Sequence, residues 1–397
     1  MTKKRILIID ESLGFGGAIS SIGSALRHIE KDNYEFYVIL SFKDTKFGED
    51  YFKAKKVYQI PRYDIQAPKN VRRFLGKFVH KLFCYFLFTI NIYIDHIPRL
   101  IRYLIIIENE KINIVHTNSC IRTNLVGIIA AKISRRPCIS HIRNYEKIFG
   151  MTKKMYDRKF IKRIIVNTND QKKFLIKQNV READIEQICE GIEMDKFNRK
   201  QGDNYLFETL SIPRRELSIG MVGMLTRWKG QEVLINAVNK IKDSISNFYI
   251  FFIGDTITKG DSYKGYLMSL VKEFKLDENI IFTGLRNDIS DILPSLDIFV
   301  HASINPEPFG RVIIEAMAAS LSVIASDAGG PLEIIENGYD GLLFNMGDSD
   351  DLAKKLLSLV EDSSFRKVLG MNARKKVEKN FLQKNLSDEL ERIYNKI

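Results

Sequence analysis

At 397 residues the chain can bury two cores of ordinary size. Its composition, 45% hydrophobic and 28% charged with glycine and proline scattered, excludes a disordered or collagen-like protein. Its formal charge of +12 is uneven: residues 1–200 hold 38 lysines and arginines against 21 acids, and residues 201–397 hold 23 against 28. The basic half favours an anionic partner such as a phospholipid surface, a diphosphate or a nucleic acid, and no apolar run reaches the ~18 residues of a membrane-spanning helix.

No secretory signal precedes the first strand, and Cys84, Cys120, Cys138 and Cys189 lack CxxC or metal-ligand spacing, so reduced thiols in a cytoplasmic protein are expected. In chain order, short β-branched runs alternate with longer helical patterns, as in parallel sheets with crossover helices. Strands are predicted at 5–10, 34–42, 56–60, 113–118, 137–142 and 163–168. The series restarts at 217–223, 248–254, 280–284, 297–303 and 322–327, which implies two doubly wound sheets. The polar stretch 198–216 suits an interdomain connection, with the boundary near residue 205. From residue 363 two helices follow without a further strand.

Doubly wound domains bind ligands outside the carboxyl ends of their strands. After the first strand, Gly14, Gly16 and Gly17 precede a helix starting near Ala18. They form either a tight turn or a backbone cradle for a phosphate or sugar, and GxGxxG fails at Ile19. His141 and Arg143 end the fifth strand. A histidine there can bond a sugar hydroxyl or shuttle a proton, or merely satisfy local backbone, and His116 is its rival. His28, His80, His96 and His301 show no metal-ligand spacing. Arg227 and Lys229 precede a helix whose dipole disfavours cations at that end, which an anionic ligand would reconcile.

In "NPEPFGRVIIEAM" (305–317), Glu307 precedes a helix and Glu315 lies about a turn and a half inside it, roughly 10 Å away. Two carboxylates sharing one bond in the retaining-hydrolase manner sit roughly 5 Å apart. The spacing instead suits two contacts on an extended ligand, with helix N–H groups between them for phosphates. The Gly-Gly-Pro turn after Asp327, followed by Glu333, again brings backbone close to a ligand or a neighbouring domain.

Taken together, "GGAISS", "SHIRN", "VGMLTRWKGQEVLINA", "IIFTGLRNDI", "EPFGRVIIEAMA" and "SDAGGPLEIIENGYDGLLF" resemble the retaining GT-B glycosyltransferases of group 1 (family 4), which include sucrose synthases, mannosyltransferases and many capsule and lipopolysaccharide enzymes. The resemblance covers most of the chain and is specific in the second half. It implies an α/β GT-B fold of two Rossmann-like domains facing a central cleft: an acceptor-side domain at 1–204, a nucleotide-sugar-binding domain at 205–379, and a final helix at 380–397 crossing back to the first. It implies a UDP- or GDP-type sugar as co-substrate, with no further cofactor or metal. On that pattern Glu315 binds the ribose, Glu307 the donor sugar and Lys229 the diphosphate. Gly16, Gly17 and the segment Pro308, Phe309 and Gly310 lie near the sugar and diphosphate, Leu285 and Arg286 near the base, and His141 faces the sugar. One departure stands out: Met224 occupies a position that is commonly basic in this family, and Arg227 is the candidate to supply the missing charge.

Residues 69–107 mix Arg72, Arg73, Lys77, Lys81, Arg99 and Arg102 with many aromatic and aliphatic side chains. A buried helix explains part of this. The rest fits a surface peripheral to an anionic membrane, near a glycan or polyprenyl-linked acceptor. The expected function is therefore sugar transfer in surface-polysaccharide assembly. The alternatives are a nucleotide-sugar epimerase or phosphorylase of the same plan and an adaptor with a worn donor site. Nucleic-acid binding ranks last because no recognised motif accompanies the charge.

Overall fold

The computed structural model describes residues 3–12, 16–44, 46–63, 83–87, 90–197, 202–256 and 262–397. The chain divides into two units: unit 1 comprises Met1–Asn167, Gln171–Ile188 and Ser387–Ile397, and unit 2 comprises Thr168–Asp170 and Cys189–Leu386.

Unit 1 contains seven strands: β1 (Lys4–Asp10), β2 (Tyr34–Leu40), β3 (Lys56–Gln59), β4 (Ile114–Ser119), β5 (Cys138–Ile142), β6 (Arg163–Val166) and β7 (Ile185–Gln187). All pair in parallel in the order β3-β2-β1-β4-β5-β6-β7. A sheet covered on both faces requires near-continuous apolar strands. Accordingly Ile6, Leu7, Ile8 and Ile9 of β1 are all buried. Helices α1 (Gly17–His28), α2 (Ile97–Asn109) and α3 (Leu125–Ile133) belong to this unit. Register places Asp10 beside Asn118, and Asn118 beside His141.

Unit 2 contains β8 (Leu217–Val222), β9 (Phe248–Ile253), β10 (Ile280–Gly284), β11 (Ile298–His301), β12 (Ser322–Ser326) and β13 (Leu342–Phe344), parallel in the order β10-β9-β8-β11-β12-β13. Its main helices are α4 (Gln231–Ile241), α5 (Arg311–Ala318), α6 (Ser349–Glu361) and α7 (Ser363–Asn380), and α8 (Gln383–Lys396) closes the chain. One core cluster gathers β8 and β9 with α4 and α6. Another gathers Phe251, Phe299, Ile313 and Ile314 with Ala373 and Phe381.

The sheet order reverses direction once in each unit, at β1/β4 and at β8/β11. These are the topological switch points where open α/β sheets leave a crevice for ligands.

Two features differ from the sequence reading. Residues 202–216, expected as a connection, belong to unit 2: Leu206 and Phe207 are buried there with Phe251 and Leu293, and the long segment of that unit begins at Cys189. Strands β7 and β13 were not predicted, since each has three residues, too few for a period to register.

Candidate active site

At the unit 2 switch point the loop after β8 meets the loop after β11. Lys229 Nζ lies 2.8 Å from Glu307 Oε2, with both side chains about one-eighth exposed. The same oxygen is 3.1 Å from His301 Nε2, and Ser303 Oγ donates to it at 3.1 Å. Burial alone would push the Glu307 carboxyl up. The hydrogen bond and charge of His301, then those of Lys229, outweigh it and hold the group near 2, so it is an anion at neutral pH. His301 Nδ1 is buried with no hydrogen-bond partner.

The backbone is shaped for this meeting. Gly230 follows Lys229 with φ of +76°, and a Cβ there would lie 1.9 Å from the Ala302 carbonyl oxygen, so only glycine lets the loop after β8 pass the end of β11. Gly310 takes φ of +98° at the start of α5, where a Cβ would meet Ile313 at 2.8 Å. Glu307 pairs as a parallel bridge with Gly329, and Gly330 N donates to its carbonyl at 2.7 Å. The Gly-Gly-Pro turn thus holds the Glu307 backbone in place.

The other predicted residues distribute as follows. Glu315 is the fifth residue of α5, and its Oε1 lies 3.3 Å from Arg311 Nη2. Phe309 turns its ring into the core against Phe381, leaving its backbone at the loop. The Pro308 carbonyl accepts from Thr168 Oγ1 at 3.1 Å. Leu285 is exposed, and Arg286 is held by Asp288 at 2.9 and 2.5 Å. Arg227 lies over the rings of Tyr263 and Tyr266 at 5.3 and 5.2 Å, so the charge proposed to replace the one missing at Met224 is directed at tyrosine faces. Met224 itself is 45% exposed. His301 and Ser303 were missed in the sequence. The available signal was the one that singled out His141, a histidine ending a strand.

In unit 1, His141 is fully buried in β5. Arg143 Nη2 lies 3.3 Å from His141 Nδ1; a guanidinium only donates, so Nδ1 accepts and the proton sits on Nε2, which donates to Asn167 Oδ1 at 2.8 Å. Burial first, then Arg143 and His116, hold its pKa well below 6.5. The ring is therefore a neutral hydrogen-bonding group rather than a proton shuttle near pH 7. His116 stacks on it at 5.9 Å and bonds Tyr394 through Nδ1 at 2.7 Å.

Gly16 caps α1 and Gly17 opens it. A Cβ at either would meet nothing within 4 Å, so neither the neighbours nor a positive φ demands glycine there. Gly14 lies outside the described residues. Arg99, read from sequence as part of a basic edge, is instead buried between Glu11 (2.7 Å) and Asp95 (2.6 Å). Arg72, Arg73, Lys77 and Lys81 lie outside the described residues. Part of the basic excess lines a cavity of about 1050 Å³ at the amino ends of β5 and β6, where seven lysines and arginines face Asp157 and Asp184. Among the described residues no group of three His, Cys, Asp or Glu side chains is placed to hold a metal, and no helix is long and apolar enough to cross a membrane.

The chain is similar to known proteins in sequence and in fold. Residues 204–376 match the family Glycosyl transferases group 1. The UDP-Gal:alpha-D-GlcNAc-diphosphoundecaprenol alpha-1,3-galactosyltransferase of Escherichia coli is 26% identical over 73% of this chain and 76% of its own. The capsular polysaccharide biosynthesis glycosyltransferase CapM of Staphylococcus aureus is 26% identical over 75% and 80%. Anabaena HepE, solved with UDP and glucose, superposes with a TM-score of 0.81 at 22% identity, covering 99% of this chain and all of that one. Residues 204–376 are a Glycosyl transferases group 1 domain, and the chain is a glycosyltransferase of the GT-B fold.

Proposed function

We propose that the protein transfers a sugar, with retention of anomeric configuration, from a nucleotide-diphosphate sugar to a glycan or lipid-linked acceptor in surface-polysaccharide assembly. The observation that carries this reading is the Lys229–Glu307 pair, braced by His301 and Ser303, at the unit 2 switch point. The names of the relatives support it: the Escherichia coli enzyme's specifies a UDP-galactose donor and a diphosphoundecaprenol-linked acceptor, and the Staphylococcus aureus enzyme's specifies capsule biosynthesis.

In this reading the donor's diphosphate takes the amino end of α5, which no side chain caps, with Lys229 as counter-charge. The Glu307 anion accepts hydroxyls of the donor sugar, Glu315 accepts those of the ribose, and Leu285 and Arg286 border the base. Gly16 and Gly17 let the backbone lie near the sugar and diphosphate, and neutral His141 orients through its hydrogen bonds. The acceptor oxygen bonds to the anomeric carbon on the face that the diphosphate leaves. As the carbon–oxygen bond breaks, its electron pair stays on the phosphate oxygen, and that oxygen takes the hydroxyl proton. Catalysis is then charge stabilisation and positioning, with no protein nucleophile. A thermal-shift screen against UDP- and GDP-sugars tests this, because a ligand that binds only the folded chain raises its melting temperature. No shift with any donor would contradict it.

We also propose that unit 1 attaches to an anionic membrane surface. On the turn Ile92–His96 and on α2, Tyr93, Ile94, Ile97, Ile101 and Ile105 are exposed, an apolar stripe at helical spacing beside exposed Arg102. Co-flotation with phosphatidylglycerol vesicles at low salt, lost in Ile97→Ser/Ile101→Ser, is expected. Failure of the parent to float contradicts this attachment.

A further inference from the structure

The cluster around Glu307 has a fixed side and a movable side. Three donors meet on one carboxylate oxygen, Oε2: Lys229 Nζ at 2.8 Å, His301 Nε2 at 3.1 Å and Ser303 Oγ at 3.1 Å. Among the described residues no donor reaches Oε1. Oε1 is therefore the oxygen left to accept a ligand's hydroxyl.

The rear donors are anchored by the fold. His301 is the last residue of β11, which pairs with β8 on one side and β12 on the other, and it is only 2% exposed. Ser303, two residues later, is fully buried. Neither side chain is open to a ligand. The His301 ring bonds nothing but Glu307 and Ser303, since its Nδ1 is buried without a partner. An unpaired polar nitrogen in the interior costs stability that an apolar residue would not. The imidazole is accounted for by its Nε2, which carries a proton because the carboxylate it meets only accepts.

Lys229 is held differently. It ends the short 3₁₀ turn Arg227–Lys229, keeps 13% of its side chain exposed, and carries its ammonium on a flexible stem with rotatable donors. Turning that ammonium from Glu307 toward a neighbouring phosphate needs no backbone movement. A diphosphate carries more charge than one carboxylate and draws the ammonium toward itself. Glu307 then keeps its orientation through the two donors behind it.

We infer that His301 is a positioning residue for recognition of the donor sugar: with Ser303 it holds Glu307 Oε2 from behind while Lys229 serves the diphosphate, which presents Oε1 to a sugar hydroxyl. This inference rests on the donor reading above and divides its work. Lys229 reads the diphosphate, and His301 sets how well Glu307 reads the sugar without touching it.

The test is calorimetric titration of the full chain with UDP-glucose, UDP-galactose and GDP-mannose, each set against UDP or GDP alone. The ratio of the two affinities isolates the sugar's contribution. His301→Leu, which keeps similar volume and removes the N–H, is expected to weaken the best-bound nucleotide sugar about fivefold or more and its nucleotide by no more than about twofold. His301→Gln, whose amide donates again, is expected to recover part of the loss. In a Glu307→Ala background His301→Leu is expected to add nothing, since the group it positions is gone.

Equal weakening of nucleotide and nucleotide sugar in His301→Leu, or full affinity for both, overturns the inference and leaves the donor reading standing. Absence of binding by every probe in the parent overturns both. A circular dichroism melt verifies folding. If His301→Leu does not fold, Ser303→Ala removes the other rear donor and is read by the same ratio: a loss confined to the nucleotide sugar is expected, and an equal loss on both ligands overturns the inference.

Discussion

The two switch points solve the same topological problem with opposite electrostatics. At β8/β11 the Glu307 carboxyl is held low by His301 and Lys229 and keeps a slice of exposure. At β1/β4, burial pushes the Asp10 and Glu11 carboxyls up, and His141 and His116 are held neutral. The first arrangement keeps full charges ready for a charged ligand; the second fixes neutral or internally balanced groups. The difference suits the roles proposed for them, stabilising a departing diphosphate in unit 2 and positioning an acceptor in unit 1.

The largest effect is expected at the charged end of this comparison. Lys229→Ala removes one partner of a largely buried ion pair and the proposed counter-charge of the leaving group. Transfer should fall by roughly 10²–10³-fold, the loss typical of removing one preorganised charge-stabilising donor, measured as kcat/KM. Unfolding free energy should drop as well, because Glu307 is left without its cation. Wild-type turnover in this variant would remove the basis for distinguishing the two sites.

Next comes the backbone. Gly230→Ala forces a Cβ against the Ala302 carbonyl at a positive φ, and a loss of about 2–3 kcal/mol in urea unfolding is expected. Gly16→Ala meets no neighbour, so its stability should change little while donor binding weakens. Equal stability losses in both would mean that the glycines serve only the fold.

How much of this was legible follows from sequence separation. The glutamate spacing at 307 and 315 lies within one loop and helix, so helical geometry placed both residues. The pairing of Lys229 with Glu307 spans 78 positions and that of Glu11 with Arg99 spans 88; a single sequence carries no signal for either. Arg99 was misplaced for that reason: in sequence it is one of several cations beside apolar residues, and only tertiary structure shows its two acids. The strands of four or more residues were visible, and the two of three residues were not. His301 shows no metal-ligand spacing, and its place at the end of β11 was the readable signal.

The smallest effects concern pH. Because the Glu307 pKa is lowered from 4.5 to about 2, its contribution to stability is fully present above 4.5 and is lost as pH falls toward 2. Glu307→Gln should flatten that limb in urea melts. His141 stays neutral when folded but takes a proton below about 6.5 when unfolded, so it lowers stability as pH falls below that value. The kcat/KM profile should show no limb near 6.5 that His141→Asn abolishes. Finding one would restore a proton-shuttle role and erase the electrostatic contrast between the two switch points.

The central claim is that the charged cluster at the β8/β11 switch point binds the donor. It is tested most directly by calorimetric titration of the wild type and of Glu307→Gln/Lys229→Ala with the nucleotide sugar that gives the largest thermal shift. The account predicts saturable binding in the wild type and at least a hundredfold loss in the double variant with its fold intact by circular dichroism. Equal affinity in the two proteins would contradict it.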